Sequence, residues 1–199
     1  MASPSACTGS PTVALFARYP RAGEAKTRLI PALGVDGAAA LHRRLVERTL
    51  GVIRASGLPF AVWTTGADEG EFRDWLGDAM ALTAQGEGDL GARLAQVPAP
   101  AILLGADVPD LSPAHLRDAA GALQEVPVVI GPAQDGGYYL LGFTQPVPFL
   151  WPDMAWGTDR VLRETEARLR RAGVAYRLLE PLSDCDRPED LARWPELLG

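Results

Sequence analysis

Thr12-Val-Ala-Leu-Phe-Ala-Arg-Tyr-Pro-Arg-Ala-Gly-Glu-Ala-Lys-Thr-Arg-Leu-Ile-Pro31 opens as a short apolar run and turns at once into a loop that holds four cations and a glycine. Thr12 to Ala17 reads as a strand, and the loop after it carries Arg18, Arg21, Lys26 and Arg28 toward the carboxyl edge of the sheet that the strand joins. In open α/β sheets that edge is where ligands bind. The loop holds neither Gly-x-x-x-x-Gly-Lys-Ser/Thr nor Gly-x-Gly-x-x-Gly, so the two commonest phosphate loops are excluded and another kind of phosphate-facing loop remains. The plainer alternative is that these are ordinary surface cations, as most Lys and Arg are.

The rest of the chain fits an α/β domain with a largely parallel sheet, because strand-like and helix-like segments alternate from end to end. Leu41, Leu45, Val46, Thr49, Val52 and Ile53 recur at helical spacing, which predicts a helix over 36–55 ended by Gly57 and Pro59. Strands are predicted at Phe60–Thr65, Ala79–Thr83, Ala101–Gly105, Val126–Gly131, Tyr138–Phe143 and Tyr176–Leu179. Helices are expected at Glu69–Leu76, after the glycines 86, 88 and 91, from Ser112-Pro113, from Thr158-Asp159 to the basic turn before Gly173, and at the C-terminus. Pro132 to Gly137 separates two strands as a hairpin or a strand crossing.

With 199 residues, 47% of them hydrophobic, the chain is long enough for a full core. It is expected to form one domain over residues 12–199 behind a flexible N-terminus of residues 1–11. A formal charge of −6 argues against a nucleic-acid or anionic-membrane partner, so any anion site must be local. Cys7 and Cys185 make neither a disulfide framework nor a zinc pattern, and neither a signal peptide nor an apolar stretch of ~20 residues is present. A cytoplasmic protein is the expectation.

Asp107 follows a buried strand and precedes Pro109, which suits a Mg²⁺ ligand at the sheet edge but also an Asx-turn. Asp186, before Pro188, Glu189 and Asp190, reads either as a second metal ligand or as a helix N-cap. His42 and His115 sit on predicted helices with no partner at ligand spacing and read as surface or half-buried residues. No Gly-x-Ser-x-Gly elbow occurs, and Cys185 has no basic neighbour in sequence. Trp156, in a Gly/Pro-rich loop, is a candidate pocket wall.

Four segments, Ala25-Lys-Thr-Arg-Leu29, Gly105-Ala-Asp-Val-Pro109, Val128-Val-Ile-Gly-Pro-Ala-Gln-Asp-Gly-Gly137 and Asp184-Cys-Asp-Arg-Pro-Glu-Asp-Leu191, occur in the order seen in GT-A-type nucleotide transferases. Together they resemble a family of small bacterial transferases named radical-SAM/selenodomain-associated transferases or arsenosugar-biosynthesis glycosyltransferases. A more distant resemblance is to 2-phospho-L-lactate guanylyltransferase and molybdenum cofactor guanylyltransferase. The Gly-x-x-x-Arg-Met loop of the molybdenum enzymes is absent, and Tyr138-Tyr139 stands where the phospholactate enzymes resemble Thr-Asn.

The resemblance implies a three-layer α/β/α arrangement around a mostly parallel mixed sheet, the Rossmann-like nucleotide-diphospho-sugar transferase (GT-A) fold, and a transferase using Mg²⁺ or Mn²⁺. Its implied nucleotide-binding residues are Arg18, Gly23, Lys26, Arg28, Gly88 and Gly105, with Lys26 on the phosphates. Asp107 and Asp186 would hold the metal. Asp135, Gly136, Gly137, Trp156 and Thr158 would meet the acceptor, with Lys26, Asp107 and Asp135 as the catalytic set. The implied reaction moves a nucleotidyl group from an NTP to a small phosphorylated or anionic acceptor. Glycosyl transfer from a nucleotide sugar, with Asp135 as base, is the alternative, and nucleotide binding without turnover is a third.

Overall fold

A strand whose residues are all apolar and all buried belongs in the middle of a sheet covered on both faces. Ala101–Leu104 is such a strand, with Ala101, Ile102, Leu103 and Leu104 each at most 3% exposed. The computed structural model describes residues 9–198, so Cys7 and most of the expected flexible N-terminus lie outside the described residues. The elements run β1 (Thr12–Arg18), α1 (Ile30–Ser56), β2 (Phe60–Thr65), α2 (Glu69–Leu76), β3 (Leu82–Ala84), α3 (Leu90–Leu94), β4 (Ala101–Leu104), α4 (Pro113–Ala122), β5 (Val128–Pro132), β6 (Tyr138–Phe143), α5 (Val161–Arg171) and β7 (Tyr176–Leu178).

The seven strands form one mixed sheet in the order β3-β2-β1-β4-β6-β5-β7. β1 pairs in parallel with β2 and β4, β2 with β3, and β5 with β7, while β6 alone runs antiparallel between β4 and β5. The expected mostly parallel sheet is therefore present, and β5 and β6 form a hairpin. The reversal at β6 has a consequence for function. It brings the hairpin loop 133–137 to the edge where the carboxyl ends of β1, β2, β4 and β7 also finish.

Alternation along the strands divides the core into two layers. Val13, Leu15 and Ala17 of β1 face Val46, Leu50 and Ile53 of α1 and Leu116 and Ala119 of α4. On the other face Ala14, Leu103, Ile130 and Leu141 meet Leu94, Leu150, Trp151 and Leu169. A third cluster joins Leu29, Leu41 and Leu45 to Cys185, Leu191, Trp194 and Leu197, so the C-terminal segment is strapped across the start of α1.

Several boundaries differ from expectation for local reasons. α1 begins at Ile30, but Gly34 adopts φ 71 and ψ 173 and breaks it, so the amphipathic helix predicted from residue 36 is the part after the break. The expected C-terminal helix is instead two 3₁₀ turns, Pro188–Arg193 and Pro195–Leu198, since Pro195 lacks the N–H needed to continue the first. α5 starts at Val161, because the Thr158 hydroxyl donates to Ala155 O at 2.8 Å inside a preceding turn. Among the described residues no helix is long and apolar enough to cross a membrane.

Candidate functional site

The basic loop after β1 does not simply present its cations to solvent. Lys26 adopts the left-handed conformation, φ 48 and ψ 45, which non-glycine residues rarely take outside functional or tightly determined sites. This turn directs its side chain inward, where only 5% of its surface remains exposed. The ammonium lies 2.6 Å from Asp107 Oδ1 and 2.6 Å from Asp186 Oδ1, and donates to Cys185 O at 2.8 Å. Burial opposes its charged form, but the Asp107 and Asp186 carboxylates outweigh that and hold its pKa above the ordinary lysine range. Burial likewise opposes the charge on Asp107, and the Lys26 ammonium outweighs it, so the Asp107 pKa is lowered. The Asp107 side chain still keeps 48% of its surface open, and Asp186 30%.

Both carboxylates are positioned by backbone. Asp107 follows β4, and its own carbonyl accepts from Cys185 N at 2.8 Å, which ties the strap to the strand end. The turn that follows is held from two sides: Arg48 Nε donates to Pro109 O at 2.8 Å, and Trp194 Nε1 donates to Asp110 Oδ1 at 2.9 Å. In the run Asp184-Cys185-Asp186 the middle side chain is fully buried in the α1 cluster, and the two flanking residues both line the cavity at this edge. Burial and the charges of Asp135, Asp186 and Asp190 raise the Asp184 pKa, a sign of dense negative charge at this edge.

The capping alternative for Asp186 fails on geometry. The backbone N–H groups of Asp186 and Arg187 both donate to Asp190 Oδ2, at 3.0 and 2.7 Å, so Asp190 serves the 3₁₀ turn while the Asp186 carboxylate faces Lys26 and Arg28. His42 is more buried than a surface helix residue should be. Its Nε2 lies 2.9 Å from Arg18 O, which pins the end of β1, and burial lowers its pKa. His115 takes part in the start of α4, where Ser112 N donates to its Nδ1 at 3.0 Å.

Two cavities open side by side at this edge. The first, ≈ 320 Å³, is lined by the carboxylates of Asp107, Asp135, Asp184 and Asp186 and by Phe16, Leu90, Leu94, Tyr138, Trp156 and Val161. The second, ≈ 480 Å³, is lined by Arg28, Arg187 and Arg193 together with the carboxylates of Asp135, Asp159, Asp184, Asp186 and Asp190. Asp135, Gly157, Thr158, Asp184 and Asp186 form the wall between them.

Of the residues expected at a site, the structure gathers Gly105, Asp107, Asp135, Gly137, Trp156, Thr158 and Asp186 around the first cavity, and Arg28 around the second. Lys26 sits behind the two carboxylates, away from the open cavity. Arg18 pairs with Glu24 at 3.5 Å, and Arg18, Gly23 and Gly88 line neither cavity. Gly136 is packed with its Cα side against the backbone of Asp159, where a Cβ would come within 2.3 Å of Asp159 O, so it shapes the hairpin loop. The Asp135 carboxylate accepts from Gly137 N at 2.8 Å and keeps room for a further donor.

Sequence reading missed Asp184, Arg187 and Arg193. The i, i+2 spacing of Asp184 and Asp186 is a signal that could have found the first.

The donor set at Asp107 and Asp186 fits a divalent cation such as Mg²⁺ or Mn²⁺, since it offers hard carboxylate oxygens open to a cavity. Among the described residues no group of three His, Cys, Asp or Glu gathers at metal distance, so substrate oxygens and water would have to complete the shell.

Residues 49–158 match the model of a family described as uncharacterized protein conserved in bacteria (DUF2064). No curated protein matches the chain in sequence. A solved protein from Desulfovibrio desulfuricans G20, provisionally named a nucleotide-diphospho-sugar transferase, is 31% identical over 91% of this chain and 84% of its own, with a TM-score of 0.85. Rv0371c of Mycobacterium tuberculosis H37Rv, in complex with manganese, shares the fold at 19% identity and a TM-score of 0.57, over 94% of this chain and 99% of that one. CMP:2-keto-3-deoxy-manno-octonic acid synthetase, complexed with CTP, shares it at 18% identity and 0.51, over 96% and 98%. The mixed sheet is thus that of the nucleotide-diphospho-sugar transferases and nucleotidyltransferases.

Proposed function

The chain belongs to the DUF2064 family of bacterial proteins, and we propose that it is a transferase using a nucleoside-phosphate donor, most directly one that moves a nucleotidyl group from an NTP. The observation that carries this reading is the pair of carboxylates bridged by a buried lysine, Asp107 on a largely apolar cavity and Asp186 on the wall that this cavity shares with an arginine-bearing one.

Donor phosphates are assigned to the second cavity, where Arg28, Arg187 and Arg193 supply guanidinium donors matched to phosphate oxygens and a cation on Asp186 would offset the carboxylates that share the lining. Arg28 is 61% exposed and only loosely paired with Asp186, at 3.5 Å, so it is free to turn toward such a ligand. The acceptor fits the first cavity beside Asp135 and Thr158. Asp107 and Asp186 would hold the divalent cation, which when bound lowers the charge barrier on the phosphates.

In the nucleotidyl reading an acceptor oxygen attacks the α-phosphorus, the bond to the bridging α–β oxygen breaks, pyrophosphate carries away the electron pair, and the acceptor proton passes to Asp135. The protein contributes position and electrostatics, with no covalent intermediate.

A second reading, glycosyl transfer from a nucleotide sugar, is favoured by the relation to the D. desulfuricans protein and uses the same cavities, with Asp135 as the base on an acceptor hydroxyl. A melting panel of the four NTPs and common nucleotide sugars, with and without Mg²⁺ or Mn²⁺, separates the two. NTP stabilisation with pyrophosphate release is the expected result. Stabilisation by nucleotide sugars alone would select the second reading, and metal-independent or absent nucleotide binding would refute both.

A further inference from the structure

The last turn of α5 is basic, which suits the helix dipole, and Arg170 and Arg171 stand exposed as that role requires. Arg168 does not. Its side chain is only 13% exposed and turns back onto the loop that precedes the helix. Nη1 donates to Leu150 O at 3.1 Å and to Pro152 O, with Phe149 O at 3.4 Å, and Nη2 donates to Asp153 O at 3.3 Å and to the Glu164 carboxylate. One guanidinium thus gathers four carbonyls from the run 149–153, a task that its planar fork of donors can perform and a point charge cannot. Asp153, inside that run, adopts φ 53, a conformation that a non-glycine residue keeps only where its surroundings hold it.

The held segment leads straight into the cavity walls. Trp156, Gly157 and Thr158 all line the first cavity, and Gly157 and Thr158 line the second as well. The Trp156 indole has no hydrogen bond to fix it, since Nε1 is buried without a partner among the described residues. Packing places the ring instead. Trp151 stacks on it with centroids 6.5 Å apart and planes at 25°, and Gly91 of α3 lies so close that a Cβ there would come within 3.0 Å of Nε1. Trp151 itself sits between Leu150 and Pro152, whose carbonyls Arg168 holds. We propose that Arg168 is a positioning residue. By fixing the loop that carries Trp151 it sets the place of Trp156, Gly157 and Thr158, and through them the fit of a ligand in the two cavities. The link to a ligand rests on the transferase reading, whereas the placement of the wall stands on geometry.

The test labels the full chain with fluorotryptophan and follows its fluorine NMR lines, with Trp156, Trp75 and Trp194 each assigned by substitution with Phe. Arg168→Lys keeps the charge, but an ammonium cannot span the carbonyls from Leu150 to Asp153, so the Trp156 line should shift or split. Trp75 and Trp194, which pack in other clusters, should keep their lines. Arg168→Ala should also lose the parental Trp156 line, and millimolar ethylguanidinium should restore it. An unchanged Trp156 line in Arg168→Lys, equal shifts at Trp75 and Trp194, or a folded Arg168→Ala that ethylguanidinium does not restore would each overturn the inference. If Arg168→Ala does not fold, Arg168→Lys decides alone. The melting shift by NTPs with Mn²⁺ is read on the same samples, and the apparent nucleotide affinity of Arg168→Lys should fall about tenfold, within the range for residues that act on a site from a distance. Unchanged affinity beside a displaced Trp156 would overturn the link to a ligand. Absence of any nucleotide shift in the parent protein counts against the transferase reading, and the fluorine lines then decide the placement of the wall.

Discussion

Lys26→Met removes the ammonium that bridges Asp107 and Asp186 and keeps a side chain of similar length. Breaking a buried ion pair by deleting one partner costs about 3–5 kcal/mol, because the other charge stays in place without compensation. Here Asp107 is 48% and Asp186 30% exposed, so water can rehydrate much of both carboxylates, and the loss should fall to about 2–3 kcal/mol. For a chain of this size about 1 kcal/mol corresponds to roughly 2–4 °C, so the variant should melt about 5–10 °C lower in metal-free buffer. Added Mg²⁺ should restore more stability to the variant than to the parent protein, since the cation meets two carboxylates with no ammonium competing for them. Nucleotide affinity should move the other way, because the seat loses a positive charge. Calorimetry with and without millimolar Mg²⁺, together with a cycle through Asp107→Asn, measures the coupling directly. A variant that melts within about 1 °C of the parent and gains nothing extra from Mg²⁺ would refute the bridging role.

Three further outcomes follow from the geometry. Gly136→Ala should destabilise by about 3 kcal/mol in denaturant unfolding, since φ is +91 and a Cβ would lie 2.3 Å from Asp159 O; a loss below about 1 kcal/mol would contradict that packing. Trp194→Phe should cost about 1.5 kcal/mol by removing the 2.9 Å bond to Asp110 while retaining ring packing, whereas Trp194→Ala should cost about 3–5 kcal/mol, and a Trp194→Phe variant as stable as the parent would mean the bond is immaterial. Mn²⁺ without nucleotide should raise the melting temperature far less than Mn²⁺ with an NTP, because the chain offers two carboxylates and needs substrate oxygens for the rest; a full shift from Mn²⁺ alone would point to additional protein ligands.

Much of the fold was legible because it rests on local periodicity. Phe60–Thr65, Glu69–Leu76 and Tyr138–Phe143 appear with the bounds read from sequence, since each is an apolar run or a capped amphipathic stretch flanked by turn residues. The position of β6 between β4 and β5 was not legible, because strand order depends on long-range pairing that leaves no local mark. At the site, Asp107 and Asp186 were readable as acidic residues beside prolines. Their relation to Lys26 was not, because the strap that delivers Asp186 is held by Leu191, Trp194 and Leu197 packing on α1, more than 130 residues away from the loop it meets. The competing capping role for Asp186 also looked sound in sequence, and it was Asp190, four residues on, that took it.

In the proposed function, the buried position of Lys26 changes how the basic loop would act on a phosphate. As a direct contact, the lysine would neutralise phosphate oxygens itself. Behind the carboxylates it would work through charge balance instead. Two carboxylates with one shared ammonium leave a single net negative charge at the seat, so a divalent cation arriving there leaves the assembly net positive, and a polyphosphate is then attracted to it. Without the lysine the same cation would be merely neutralised. Arg28, Arg187 and Arg193 on the second cavity would then give such a polyphosphate its guanidinium donors, beside the carboxylates of Asp159 and Asp190. In that arrangement the shared wall of Asp135, Asp184 and Asp186 is where the reacting ends of a donor in one cavity and an acceptor in the other would meet.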